Sequence, residues 1–305
     1  HVLLLTVGFV FLVKGADWFV EGAAGIAKKL GIPQLVIGLT IVAMGTSMPE
    51  AAVSITSALS GSAGISIGNV VGSNILNILI ILGITAVLTN VRIQKTTFRY
   101  EIPFMIGITI ILMAFGITGN QITFLEGILF WLLFLIFLGY LFVISKKGSV
   151  QDEEEIKELP LWKGVLGIII GGILVVKGSD FAVEGATEIA RYFGMSERFI
   201  GLTIVAFGTS LPELVTSVTA ARRGNADIAI GNIVGSNIFN ILFVIGTTAL
   251  ICNVPFDQKF VIDTIVAIFS GVLLWAGTIR YKELRKNCGI VMLLCYAGYF
   301  IYLCK

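Results

Sequence analysis

The chain reads as two copies of one segment. Lys14–Ala27, KGADWFVEGAAGIA, matches Lys177–Ala190, KGSDFAVEGATEIA, at a shift of 163 residues (177 − 14 = 163). The same shift aligns IGLTIVAMGTSMPE, ending at Glu50, with IGLTIVAFGTSLPE, ending at Glu213, and GNVVGSNILNIL from Gly68 with GNIVGSNIFNIL from Gly231. Roughly 40 of about 77 aligned positions are identical without a gap, far more than shared hydrophobicity would give. Such a chain must fold as two equivalent units, here residues 1–145 and 161–305. Between them Lys146–Pro160, KKGSVQDEEEIKELP, is too short for a folded domain and is expected to be a solvated acidic linker.

The medium for these units is lipid. Of the 305 residues 56% are hydrophobic and 13% charged, against about 25% charged in an ordinary soluble domain. A crossing helix needs roughly 20 apolar residues, and the apolar runs predict about ten crossings: 2–27, 33–59, 65–89, 100–118, 122–145, 161–190, 196–221, 226–251, 258–279 and 288–304. Five crossings per unit is an odd number, so the second unit must enter from the opposite side. The expected fold is an all-α polytopic membrane protein of two inverted-topology repeats of five helices. Lys and Arg gather in the loops that this arrangement puts on one side, among them Lys28, Lys29, Arg92, Lys146, Lys147, Arg222 and Arg223. By the positive-inside rule both termini lie outside and the linker is cytoplasmic. No basic leader with a small-residue cleavage site precedes the first apolar run, which is expected to stay as the first crossing.

Several chemistries lack material. The one histidine is His1, so histidine-based triads, zinc sites and haem ligation are excluded in practice, and no enzyme chemistry is expected. The four cysteines, Cys252, Cys288, Cys295 and Cys304, show no C-x-x-C spacing and read as packing residues. A formal net charge of +2 gives no basic footprint for nucleic acid. No cofactor and no obligatory protein partner is expected.

An ionised carboxylate inside a bilayer is costly, and marks function by default. Glu50 and Glu213 each fall near the middle of a crossing, at equivalent repeat positions. Pro49 and Pro212 remove an amide donor and should free upstream carbonyls, while Gly45 and Gly208 permit unusual backbone angles. Thr46, Ser47, Thr209 and Ser210 add hydroxyls; Ser73 and Asn77, and likewise Ser236 and Asn240, stand at i and i+4 on the following crossings. Oxygen-only sites select hard cations such as Ca²⁺, Mg²⁺ or Na⁺. Two carboxylates match one divalent or two monovalent ions, so the same pair can serve both in exchange. Plainer roles stand beside these. Ser and Thr often bond back to their own helix; Asn69 and Asn232 read as caps or helix breakers, and Asn74 and Asn237 are open between the two. Lys14, Asp17 and Glu21, with Lys177, Asp180 and Glu184, read as ion pairs or snorkelling groups, and Asp152–Glu155 as solvated linker.

The paired motifs GLTIVAMGTSMPE with GNVVGSNILN, and GLTIVAFGTSLPE with GNIVGSNIFN, resemble those of the cation/calcium exchanger superfamily, and within it the short prokaryotic sodium/calcium exchangers. The resemblance implies ion sites between the second, third, seventh and eighth helices, with the first and sixth sliding to alternate access. It implies that Glu50 and Glu213 coordinate Ca²⁺ with the Thr46 and Thr209 carbonyls. Sodium sites would be completed by the Ala43 and Ala206 carbonyls and by the side chains of Ser47, Ser73, Ser210 and Ser236. Many such exchangers carry Asp at the position of Asn240; here Asn77 and Asn240 are both amides, leaving two formal charges in the core. The function expected is a plasma-membrane antiporter exchanging Na⁺ for Ca²⁺ by alternating access. A divalent cation/proton antiporter is the alternative, since a carboxylate in a low-dielectric site can also carry H⁺; a cation channel, a cation sensor and an intramembrane protease fit the repeats less well.

Overall fold

The computed structural model describes residues 1–146, 159–194 and 206–303. Eleven helices organise them: α1 (Val2–Leu30), α2 (Gln34–Thr46), α3 (Met48–Leu59), α4 (Gly64–Leu88), α5 (Thr97–Gly119), α6 (Phe124–Lys146), α7 (Leu161–Tyr192), α8 (Leu211–Arg222), α9 (Ala226–Ile251), α10 (Gln258–Thr278) and α11 (Lys286–Leu303). A short helical turn, Ala206–Gly208, precedes α8. Among the described residues eight helices are long and apolar enough to cross a membrane, or nine if α2 and α3 count as one span bent by 49°. The expected crossing 196–221 begins outside the described residues, as do most of the linker and Cys304. Cys252, Cys288 and Cys295 are free thiols, as expected.

The expected crossing 33–59 is therefore not a straight helix. Pro49 lies in the first turn of α3, where its missing N–H would otherwise serve the Gly45 carbonyl, and the backbone turns at Ser47 with φ −84° and ψ 8°. The second copy repeats this: Pro212 opens α8 and Ser210 turns with φ −92° and ψ 4°. The carbonyl deprived by Pro212, that of Gly208, is taken by the Ser179 hydroxyl of α7 at 2.6 Å. Helices α4 and α9 each contain a π-helical stretch, Asn77–Leu82 and Asn240–Ile245, opened by the asparagine at the equivalent position.

The polar helices are the enclosed ones. Of the apolar window of α9 94% is buried, and of α4 78%, whereas α6 buries 28% and leaves Leu132, Leu135 and Ile136 exposed for lipid. Glycine allows α9 to approach α2: a Cβ at Gly235 would meet Leu39 O at 2.8 Å, and one at Gly231 would meet Leu35 O at 3.0 Å. Helices α1 and α7 pack antiparallel along most of their length, again through glycine. A Cβ on Gly8 would lie 2.8 Å from Gly178 O, one on Gly15 2.8 Å from Gly171 O, and one on Gly22 2.6 Å from Gly164 O.

Two miniature antiparallel strand pairs tie the units together at their loops. Val91–Arg92 (β1), after α4, pairs with Glu283–Leu284 (β4), before α11; Gln121–Ile122 (β2), before α6, pairs with Val254–Pro255 (β3), after α9. Lys177 pairs with Asp180 at 3.2 Å, as the spacing predicts. Asp17 and Glu21 are instead held from the other unit, by Arg223 at 2.9 and 3.3 Å.

Candidate functional site: a carboxylate pair between the two repeats

Glu50 and Glu213 are both 1% exposed and sit in the first turns of α3 and α8, where the helix N-terminus favours negative charge. Each is held by the opposite copy. Ser47 donates to Glu213 Oε1 at 2.9 Å, and Ser210 donates to Glu50 Oε1 at 3.4 Å. Ser73, from α4, also donates to Glu50 Oε1 at 3.4 Å. Its counterpart Ser236, from α9, donates at 3.4 Å to the Ala43 carbonyl, which is itself one of the sequence-predicted ligands. The second oxygen of each carboxylate, Oε2, is buried with no hydrogen-bond partner among the described residues. The Oδ1 atoms of Asn77 and Asn240 share that condition. Four buried oxygens, two from each repeat, thus have acceptor capacity that no donor among the described residues uses. A buried acceptor left so is costly unless a cation or water completes it.

The donor set suits hard cations. Carboxylate, amide, hydroxyl and carbonyl oxygens come together without sulfur or imidazole. Among the described residues no group of three or more His, Cys, Asp or Glu side chains forms a softer or more highly charged centre.

Of the predicted site residues, Glu50, Glu213, Ser47, Ser210, Ser73, Ser236 and Ala43 are joined by these contacts, and Asn77 and Asn240 are buried on the faces of Ser73 and Ser236. The Thr46 hydroxyl lies beside the Glu213 carboxylate and has further oxygen neighbours in its own helix and in α9. It lies 3.1 Å from Val42 O, 3.3 Å from Ala43 O and 3.0 Å from Asn232 Oδ1, bonding back to its own helix and across to α9. Thr209 is half-buried beside Ser210 at the break before α8. Ala206 opens the short turn Ala206–Gly208.

Asn69 and Asn232 depart from the cap or helix-breaker role expected of them. Neither caps nor breaks a helix. Asn69 Nδ2 donates to Glu50 O at 3.1 Å and to Ser54 Oγ at 3.0 Å; Asn232 Nδ2 donates to Glu213 O at 3.5 Å and to Ser217 Oγ at 2.9 Å. Each pins the main chain of a glutamate from the neighbouring helix. The signal was present in the two copies of GN at equal distance from the glutamates, but its meaning needed the helix pair.

The sodium/calcium exchanger protein family matches residues 1–143 and 163–305. Inner membrane protein YrbG of Escherichia coli is 36% identical over 318 residues, covering 98% of this chain and 94% of its own. The sodium/calcium exchanger MaX1 of Methanosarcina acetivorans is 33% identical, covering 99% of this chain and 97% of its own. Among solved structures, the sodium-calcium exchanger NCX_Mj superposes with a TM-score of 0.86 at 33% identity, over 98% of this chain and 97% of that one. With motif, fold and whole-length similarity in agreement, the chain belongs to the sodium/calcium exchanger protein family.

Proposed function

We propose that the protein is a plasma-membrane antiporter that moves Ca²⁺ against an inward flow of Na⁺ at a site built on Glu50 and Glu213. Family membership supports cation antiport and a transporter in place of an enzyme. The observation that carries the finer reading is the pair of buried carboxylates, each held by a serine of the opposite repeat and each keeping one oxygen without a donor. Two buried negative charges are neutralised equally by one Ca²⁺ or two Na⁺, and a bare pair would be too costly to carry across. Three Na⁺ would leave one net positive charge, making exchange electrogenic. The oxygens of Ser47, Ser73, Ser210, Ser236, Asn77 and Asn240, with the carbonyls of Ala43, Thr46, Ala206 and Thr209, complete the ion sites in this reading.

Alternating access follows from two inverted five-helix repeats, 1–145 and 161–305, in which α1 and α7 move together over the ion-binding core. The antiparallel glycine contacts of α1 with α7 support that pairing, because they let the two helices travel as one body. The distribution of Lys and Arg supports external termini and a cytoplasmic linker over 146–160. The test is Ca²⁺ uptake into proteoliposomes loaded with Na⁺ and diluted into K⁺ medium at clamped pH. Uptake that needs internal Na⁺ and disappears in Glu213→Gln is expected. Uptake that ignores Na⁺ and follows an imposed pH gradient would move the coupling ion to H⁺, and currents far faster than conformational turnover would make the protein a channel.

A further inference from the structure

Four amides cross the interface between α4 and α9, and all four side chains are buried. Asn74 Nδ2 donates to Asn237 O at 3.2 Å, and Asn237 Nδ2 donates to Asn74 O at 3.1 Å. Asn240 Nδ2 donates to Asn74 Oδ1 at 3.1 Å, and Asn77 Nδ2 donates to Asn237 Oδ1 at 2.9 Å. A shift of 163 residues turns each half of this pattern into the other.

The pattern has a direction. A backbone carbonyl only accepts and cannot be turned round, so Asn237 O demands the NH₂ end of Asn74. That points Asn74 Oδ1 at Asn240 and demands the NH₂ end of Asn240 in turn. Asn240 Oδ1 is then the end turned away from the network, and by the same steps so is Asn77 Oδ1. These are two of the four buried oxygens without a donor. Each stands one helical turn after a serine of the site, Ser236 or Ser73.

We propose that Asn74 and Asn237 are positioning residues that fix the amide flip of Asn240 and Asn77, so that oxygen and not NH₂ is presented to the transported cation. The inference rests on the cation reading of the site. An amide's two ends are nearly the same shape but opposite in polarity; turned the wrong way, Asn240 would offer donors where a cation needs an acceptor. The same network selects the residue type at 77 and 240. A carboxylate there has no donor for Asn74 Oδ1 or Asn237 Oδ1, so acceptor would face acceptor. The amides thereby hold the core at the two charges of Glu50 and Glu213.

A double-mutant cycle tests this on the purified full-length protein. Asn74→Leu removes the acceptor that orients Asn240, while Asn237 O keeps its helical N–H from Asn240. Asn240→Asp replaces the amide by a group whose two ends are both oxygen and cannot be wrongly flipped. The readouts are the Ca²⁺ concentration giving half-maximal thermal stabilisation in detergent and that giving half-maximal uptake in proteoliposomes. Asn74→Leu is expected to raise both by about tenfold or more in the otherwise native protein, and to cause no loss in the Asn240→Asp background, where it also removes the acceptor that faces the new carboxylate. Equal losses in the two backgrounds would overturn the proposal, since a packing role does not depend on what stands at 240. If Asn74→Leu does not fold, Asn237→Leu with Asn77→Asp is the equivalent cycle, and failure of both single variants to fold would mean that the amides hold the fold and not the flip. Native protein without cation-dependent stabilisation would remove the cation reading and this inference together; native binding with equal losses would remove this inference alone.

Discussion

Adjacent glycines on α7 face opposite fates on gaining one methyl group. At Gly171 a Cβ would lie 2.5 Å from Phe19 N and 2.7 Å from Gly15 O, both backbone atoms of α1. Ordinary contact starts near 3.4 Å, so α1 and α7 would have to part by close to an ångström. Overpacking of this kind costs about 1–3 kcal/mol, and a gap of that width forfeits roughly a quarter to a half of the dispersion of neighbouring contacts. At Gly172 the nearest atom is Phe19 Cε2 at 3.8 Å, which is ordinary contact, and alanine there also gains about 0.5–1 kcal/mol of helix propensity. Phe19 in turn carries the displacement to the site, because its ring tip would lie 3.1 Å from a Cβ on Gly45, one residue before Thr46. Gly171→Ala is therefore expected to melt several degrees lower than the native protein and to slow Ca²⁺ uptake, while Gly172→Ala stays at or above the native melting temperature. The assay is thermal unfolding in detergent beside initial uptake rates at equal insertion. Equal stability of the two variants would refute the close-packed account of the α1–α7 pair.

Glu50→Gln and Glu213→Gln should each weaken Ca²⁺ binding by more than about a thousandfold. Removing one charge from a divalent ion at about 2.4 Å costs on the order of 14 kcal/mol at an effective dielectric of 20, and even one third of that exceeds three decades. Ca²⁺ titration of thermal stability within tenfold of native for either variant would exclude that residue from the site. Arg223→Gln removes the cross-unit ion pair with Asp17 and Glu21, whose side chains are 31% and 42% exposed; the expected cost is about 0.5–1 kcal/mol, shrinking as salt is raised. A loss that is independent of salt would show that Arg223 acts through packing.

Much of this architecture is legible in the sequence because a repeat carries its own control. A single GTSMPE would be an ordinary kinked helix; its second copy, GTSLPE, marks both glutamates as parts of one device. Helix spans follow from apolar length, and their ends differ from expectation by a few residues, as at Thr97 and Lys286. What stays hidden is whatever depends on contact between the units. The pinning of the Glu50 and Glu213 main chains by Asn69 and Asn232, the inward turn of Thr46, and the pairing of Arg223 with Asp17 all need three-dimensional neighbours far apart in the chain. The heptad of glycines at Gly8, Gly15 and Gly22 was equally open to reading, but glycine is common in membrane helices and becomes informative only beside Gly164, Gly171 and Gly178.

The amide network also sets a timetable for synthesis. Asn74 bonds to a carbonyl 163 residues further along the chain, so during translation at about 5–20 residues per second its partner arrives roughly 8–30 s later. For that interval α4 is in place with its buried polar face incomplete, and must borrow partners from water or from its own backbone. Helix α9 never waits in this way, since its receptacle is already made when it emerges. A chain arrested before Asn237 should accordingly be digested by protease faster than the released protein; equal resistance would mean that the first repeat completes itself.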